Sequence, residues 1–368
     1  MKTEVHLPQL KKAISVSERV ARKNSTLPVL SCFLLKMSKN KLMVLSTNLD
    51  VGVEVSMPAK SDGDWEIAVP ANTISAFISQ VSDHDGVVKI ELISNNLQIT
   101  SAKSKVTIKT VPTEDFPSIP RVSDGKKTTM PADSFLKGLR SVYYSSSVSS
   151  AKPELSSVYV YKNNEYLIFA ATDSFRLAEK KIKIQTGIIF EDTLIPFKNT
   201  PDIIRILEEC ATDVSICSNK NLISFETSDI YAVSRVIDGV FPDYHQIIPK
   251  NHSTEAVALK QDIIGSMKVS NVFADKFNQV KFIIDPPKAL FEIQTKNSNV
   301  GENATTVDSA LSGEKIEINF NGKYISDCFQ SIDADSVSFQ LSGLNKPMVI
   351  RPASGDGTFM YLVMPMNR

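Results

Sequence analysis

The sequence predicts an α+β protein made of three tandem repeats, each setting two helices against antiparallel sheet. Three observations lead there. Amphipathic helical spacing recurs six times along the chain. Strand-like runs rich in β-branched and aromatic residues follow each helix. The whole pattern returns at offsets of about 122–128 residues, and the first two repeats end alike, in EDFPSIP from Glu114 and GVFPDYHQIIP from Gly239. Short polar stretches near Asp124 and Asn251 then mark the boundaries, giving domains 1–124, 125–250 and 251–368.

Taken in order, the first helix is read from Leu10 to Lys23, with Leu10, Ala13, Ile14 and Val20 on one stripe. VLSCFLLKM, KLMVLSTN and VGVEVSM follow it as strands. The second helix of the repeat is ANTISAFISQV from Ala71, with Asn72 or Thr73 as its cap, and VVKIELI, LQITSA and KVTIKTV come after. The middle repeat opens on a helix from about Asp133 to Tyr144 and continues through LSSVYVYK, YLIFAATD and RLAEKKIKI. Its second helix, KNTPDIIRILEEC, is expected to be capped by Thr200 with Pro201 at the first helical position, ahead of DVSICS, LISFET and YAVSRVI. The last repeat starts a helix near Asp262, passes through QVKFIID and ALFEIQT, and has NGKYISDCFQSI as its second helix. VSFQLS, PMVIRP and YLVMPM close the chain.

Composition narrows the function. A length of 368 residues suits two or three domains. Forty-one basic and 41 acidic residues cancel, which argues against a broadly polybasic nucleic-acid binder but leaves room for one basic face balanced by an acidic one. The N-terminal stretch MKTEVHLPQLKK has no apolar core of a secretory signal, and no apolar run approaches a membrane span, so a cytoplasmic protein is expected. The four cysteines are scattered, with no CxxC spacing, so neither a disulfide framework nor a zinc site is expected.

Motifs for chemistry are missing. The four histidines form no HExxH, and there is no phosphate-binding GxxxxGK[ST], no GxGxxG after a strand and no GxSxG. Asp333 and Asp335 have the spacing of a weak metal site but read better as a solvated helix end. Asp173, after the strand YLIFA, reads as a turn residue. The expectation is a protein without catalytic residues, metal or cofactor.

Charge is uneven. The first helix carries Lys11, Lys12, Arg19, Arg22 and Lys23 against Glu18. The second repeat adds Lys137, Arg140, Lys198 and Arg205, and the third adds Lys260, Lys268 and Lys323. From charge alone, a solvated helix face and a sequence-independent phosphate track both fit.

The motifs STLPVLSCFLL from Ser25, STNLDVGVE from Ser46, ATDSFRLA from Ala171, GVFPDYHQIIPK from Gly239 and the terminal YLVMPMNR stand in order along the chain. Together they make the sequence resemble the bacterial DNA polymerase III beta subunit family, the replicative sliding clamps. The resemblance implies three tandem domains of the DNA-clamp fold and a head-to-tail homodimer closing a ring. It implies an accessory subunit of the DNA polymerase III holoenzyme without an active site of its own. The implied partners are duplex DNA held without sequence preference, the polymerase III alpha subunit, the clamp loader, and other polymerases and mismatch-repair or ligase proteins carrying short peptide motifs; no membrane is implied.

The resemblance also carries residues. The implied peptide pocket comprises Leu155, Thr172, Ser174, Phe175, Arg176, Leu177, Pro242, Gln246, Ile247, Asn321, Tyr324, Leu362, Val363, Met364, Pro365 and Met366. The implied DNA-facing positions are Lys12, Arg19, Lys23, Asn24, Lys152 and Lys198. The implied dimer contacts are Lys103, Lys105, Thr107 and Lys109 on one side and Val269, Val272 and Phe273 on the other. Departures are visible. Ser174-Phe175 stands where the family commonly has Gly-His, Gln246 where it often has a basic residue, and Asn24 where it has an arginine. SSSVSSAKPEL lacks the paired tyrosines of some members, which leaves Lys152 as the phosphate contact there. The competing reading is a cytoplasmic peptide-binding scaffold that never encircles DNA.

Overall fold

The computed structural model describes residues 1–21, 27–82, 86–185, 187–355 and 357–366. Its element order is more regular than the sequence suggests. Among the described residues a strand precedes each α-helix and at least three strands follow it, six times over.

In the first third, β1 (Lys2–His6), α1 (Leu7–Glu18), β2 (Cys32–Ser38), β3 (Lys41–Thr47) and β4 (Val51–Ser61) form one such module. β5 (Trp65–Pro70), α2 (Ala71–Gln80), β6 (Val87–Ile93), β7 (Asn96–Thr100) and β8 (Lys105–Lys109) form the next. The middle third repeats this with β9 (Lys126–Pro131), α3 (Ala132–Val142), β10 (Ser157–Asn163), β11 (Tyr166–Thr172) and β12 (Arg176–Lys183). β13 (Thr193–Pro196), α4 (Thr200–Glu208), β14 (Asp213–Ser218), β15 (Leu222–Glu226) and β16 (Ile230–Arg235) complete it. In the last third come β17 (Thr254–Leu259), α5 (Lys260–Val272), β18 (Gln279–Asp285), β19 (Leu290–Asn297), β20 (Gly301–Thr306) and β21 (Ser309–Gly313). β22 (Ile316–Asn321), α6 (Gly322–Cys328), β23 (Ser336–Leu341), β24 (Met348–Pro352) and β25 (Phe359–Val363) end the chain.

The strands ahead of the helices were not among those expected. They are short, four to six residues, and carry little periodicity: KKTTMP in β9 is mostly polar, and TLIP in β13 is only four residues long. β20 and β21 were also unexpected, because GENATT and SALSG lack buried residues to set up an alternating pattern. Helix limits differ as well. α1 begins at Leu7, with Pro8 in its first turn, and ends at Glu18 rather than Lys23. The last turn expected before Tyr144 is a 3-10 turn, Tyr143–Ser145. The expected caps are corrected too. Asn72 and Thr73 lie inside α2, which starts from extended Pro70. Thr200 lies inside α4, and its hydroxyl donates to the Pro196 carbonyl, 3.0 Å. β5 turns directly into α2, so its last residue, Pro70, takes the cap, whereas α4 is capped by Asn199, one residue before the expected Thr200.

The described chain divides into two compact units, 1–136 with 187–238, and 137–186 with 239–368. In the first, an antiparallel path runs β8-β7-β6-β1-β4-β16-β15-β14-β9. β4 also pairs with β3, β3 with β2, and β2 with β5. The β4–β16 pairing sets Val53 opposite Ala232 and welds sequence-distant modules into one sheet. Buried Leu10, Ala13 and Ile14 of α1 and Ile74 and Ile78 of α2 pack into this unit's core.

In the second unit the path is β10-β11-β12-β25-β24-β23-β17-β21, and β20-β19-β18-β22 form a separate four-stranded sheet. Alternation is clean where one face is buried, as in QVKFIID of β18. Phe282, Phe291, Phe320 and Phe339 are fully buried and pack edge to face, with centroids 5.3–5.9 Å apart. Gly138 of α3 lies so close to the Phe169 ring that no Cβ fits there.

Candidate functional site

The expected peptide-site residues all lie in the second unit, most of them on three pieces of chain, with Leu155 ahead of β10 and Asn321 and Tyr324 at the start of α6. The first is the turn from β11 to β12. Thr172 Oγ1 donates to the Arg176 carbonyl, 2.6 Å, and accepts from Ser174 N, 3.1 Å. Asp173 Oδ1 accepts from the Phe175 and Arg176 amides at 2.9 and 3.0 Å, the turn role read from the sequence. Ser174 takes the left-handed conformation, φ 77°, which costs a side-chain-bearing residue about 1–2 kcal/mol. The turn thrusts Phe175 outward to 62% exposure.

Arg176 turns the other way and is buried. Its Nε donates to Asp173 Oδ2 (2.9 Å), Nη1 to Asp327 Oδ2 (2.7 Å) and Nη2 to the Tyr144 carbonyl (2.6 Å). The guanidinium also lies 4.3 Å from the Tyr324 ring centroid. Burial disfavours the cation, yet Tyr361, Asp327 and Asp173 outweigh it and hold Arg176 above its ordinary value. This is a fixed cation whose charge is spent on structure.

The second piece is the C-terminal strand. Register places Arg176 opposite Val363 and Leu177 opposite Leu362. Beyond β25, Met364 N donates to the Phe175 carbonyl and Met366 N to the Asn319 carbonyl, both 2.8 Å. This leaves Met364, Pro365 and Met366 half-buried beside the turn. Asn321 caps α6, accepting from Lys323 N and Tyr324 N at 3.0 and 3.3 Å. Tyr361 Oη donates to the Tyr324 carbonyl at 2.8 Å.

The third piece is the connector 239–250. Phe241 stacks on Tyr159 of β10, and Tyr244 Oη donates to Glu179 Oε2 of β12, 2.5 Å. Pro242, Gln246 and Ile247 stay exposed, with Gln246 Nε2 donating to Asp243 Oδ2 at 2.8 Å.

Burial sorts the expected residues into two sets. Leu155, Thr172, Arg176, Leu177, Leu362 and Val363 are buried and form a floor. Leu177 and Val363 have no exposed surface, whereas Phe175, Pro242 and Ile247 are exposed and Met364 is half-buried. Sequence reading missed Tyr144, Glu179 and Asp327, which fix the floor and the connector. They lie 32, 65 and 151 residues from their partners, and nothing local marks them.

The expected DNA-facing cations fall in varied settings. Lys12 Nζ meets Asp229 Oδ2 at 2.9 Å, and Lys198 Nζ meets Asp50 Oδ2 at 2.7 Å. Burial pushes the Asp229 carboxyl up, but hydrogen bonds from Lys12 and Thr227 outweigh it and hold it below the usual range. Arg19 follows α1, Lys152 is exposed, and Lys23 and Asn24 lie outside the described residues. Of the expected dimer contacts, Lys105, Thr107 and Lys109 lie on β8, a sheet edge, and Lys103 lies just before it. Val269 and Val272 are exposed on α5, with half-buried Phe273 at its end. Asp333 is an ion-paired surface residue, 2.5 Å from Lys137, and among the described residues no cluster of His, Cys, Asp or Glu suits a metal.

Comparison with known proteins gives a consistent picture. Models of the N-terminal, central and C-terminal domains of the DNA polymerase III beta subunit match residues 1–120, 129–243 and 245–367 in turn. The chain is 27% identical to the beta sliding clamp of Synechocystis sp., with 100% of this chain and 99% of that one covered. It is 25% identical to that of Caulobacter vibrioides, with both chains fully covered. The structure superposes on the DNA polymerase III beta subunit of Thermotoga maritima with a TM-score of 0.93 at 24% identity, covering 100% of this chain and 99% of that one. A Pseudomonas aeruginosa sliding clamp bound to griselimycin gives 0.93 at 23% identity, with both chains covered in full. Matched in order from its first module to its last, the chain belongs to the DNA polymerase III beta subunit family, the DNA sliding clamps that act as processivity factors.

Proposed function

We propose that two copies of this chain close head to tail around duplex DNA and hold DNA polymerase III through a short peptide. The observation that carries this reading is the ordered match of all three family domains over almost the whole chain. The same reading divides the chain into domains 1–124, 125–250 and 251–368 and makes it an accessory subunit of the polymerase, working in the cytoplasm. Two edge strands support assembly. β8 ends one sheet and β20 ends another, and each presents unpaired backbone groups that a second chain can cover. Exposed Val269 and Val272 add apolar surface on α5.

DNA enters this reading as a weakly held polyanion. The Lys12–Asp229 and Lys198–Asp50 pairs are exposed and worth about 0–1 kcal/mol each. A passing phosphate exchanges with them at little cost, which suits sliding. Lys152, Arg19, Lys23 and Asn24 complete the proposed track.

The peptide surface consists of Phe175, Pro242, Ile247 and Met364 to Met366 over the buried floor. Burying a few hundred Å2 at about 25 cal/mol per Å2 gives several kcal/mol before ordering costs, consistent with roughly micromolar binding. Such affinity lets the alpha subunit, the clamp loader and other polymerases, repair proteins or ligase exchange on one ring.

Native mass spectrometry tests assembly, with a dimer expected at micromolar concentration and a persistent monomer counting against the ring. Retention on circular DNA tests encirclement: it is expected to survive salt that abolishes phosphate contacts and to vanish on linearisation. A peptide-binding scaffold without encirclement would show no difference between the two DNA forms.

A further inference from the structure

The connector that carries Pro242, Gln246 and Ile247 is held to the sheet by a hydrogen-bonded relay that the sliding-clamp activity leaves unexplained. Glu179 of β12 is buried, with Oε1 3.5 Å from Lys181 Nζ and Oε2 bonded to Tyr244. Tyr244 is itself buried, and its hydroxyl also meets Tyr161 Oη at 2.9 Å. A carboxylate only accepts, so the Tyr244 proton goes to Glu179 and Tyr161 donates to the Tyr244 oxygen. Tyr161 Oη in turn lies 3.4 Å from His245 Nε2, and His245 stacks on Tyr244 with centroids 4.3 Å apart. Tyr159 joins the group by stacking on Tyr161 and Phe241 at 4.6 and 5.0 Å. The exposed residues of the connector therefore hang on a buried polar anchor between them.

We propose that Glu179 and Tyr161 are positioning residues for the partner peptide, acting through Tyr244 to fix the rim formed by Pro242, Gln246 and Ile247. This rests on the peptide-site reading above. An unanchored rim samples more conformations, and a peptide then bears the cost of ordering it. Tyr244 is the pivot because its hydroxyl bonds to side chains of two strands, Glu179 of β12 and Tyr161 of β10.

The test uses the full-length protein, a fluorescein-labelled short peptide with Leu and Phe anchors, and amide hydrogen exchange over residues 241–248. Glu179→Leu and Tyr244→Phe are expected to weaken the peptide about five- to tenfold and to speed exchange in this segment, the effect of one lost hydrogen bond. Tyr161→Phe is expected to weaken it about threefold. Glu179→Gln keeps an acceptor for the Tyr244 hydroxyl and is expected to restore binding to within about twofold. Ile293→Val, in the fully buried core of β19, serves as control: it lowers the melting temperature but leaves both readouts unchanged. Wild-type affinity in Glu179→Leu and Tyr244→Phe, or an equal loss in Ile293→Val, overturns the proposal. If the wild type fails to bind any such peptide, the peptide reading fails and exchange decides the anchor alone: faster exchange upholds it, and unchanged exchange overturns it.

Discussion

The turn 172–176 and the connector 242–247 contribute to one candidate site by opposite means. The turn is dense with short-range bonds. Thr172 and Asp173 tie it to its own amides, and Arg176 carries three further donors into the interior. The connector is attached through two buried side chains, Phe241 and Tyr244, and leaves Ile247 48% exposed. The lesson is that a site can combine a rigid floor with a rim whose order depends on a few side chains. Changes in the floor should therefore read out as stability, and changes in the rim as affinity.

The largest effect tests the floor. Arg176→Ala leaves the carboxylates of Asp173 and Asp327 without their buried partner. It is expected to cost about 3 kcal/mol, measured by chemical denaturation, and to abolish peptide binding with it. An unfolding midpoint equal to wild type would erase the distinction between floor and rim.

Next come the exposed apolar residues. Phe175→Ala and Ile247→Ala are each expected to reduce peptide affinity about tenfold while stability stays within about 0.5 kcal/mol. Fluorescence titration alongside thermal melting checks both halves of that statement.

A smaller effect is expected at Ser174. Its φ of 77° strains any residue with a Cβ, so Ser174→Gly relieves the fold while adding chain entropy to the unfolded state. The expected balance is a gain of about 0.5 kcal/mol by denaturation. A loss would mean that the Ser174 side chain carries more than the turn requires.

The smallest effect is the rim's response to acid. Asp243 is held below the usual carboxylate range by hydrogen bonds from Gln246 and His245. A depressed folded value contributes order above the unfolded value of 3.8, and that order is lost as pH falls through the folded value. Amide exchange at His245, corrected for its intrinsic pH dependence, is expected to lose protection on acidification, and Asp243→Asn is expected to remove that dependence.

Much of this architecture was legible. Apolar stripes such as Ile203, Ile206 and Leu207 declare a helix without help, since one helix face must be buried. Turn chemistry at Asp173 was legible because its partners are two and three residues away. The short strands ahead of the helices were not, because four to six residues carry too little periodicity. Nor was burial: Leu177 and Phe175 are both apolar, two residues apart, and one is sealed while the other is exposed.

The three-repeat division and the two compact units also have different origins. Similarity between segments is a property of sequence. Compactness follows sheet pairing, and β16 joins β4 while β12 joins β25, so the middle segment's strands are shared with those of either end.

By itself, then, the sequence determined the helices, most strands, the repeat period and the family. All of these depend on interactions within a few residues or on patterns counted along the chain. Only the tertiary structure decided that Asp327 meets Arg176 and Glu179 meets Tyr244. Those pairings depend on strand order and register, which bring together side chains that no local spacing connects.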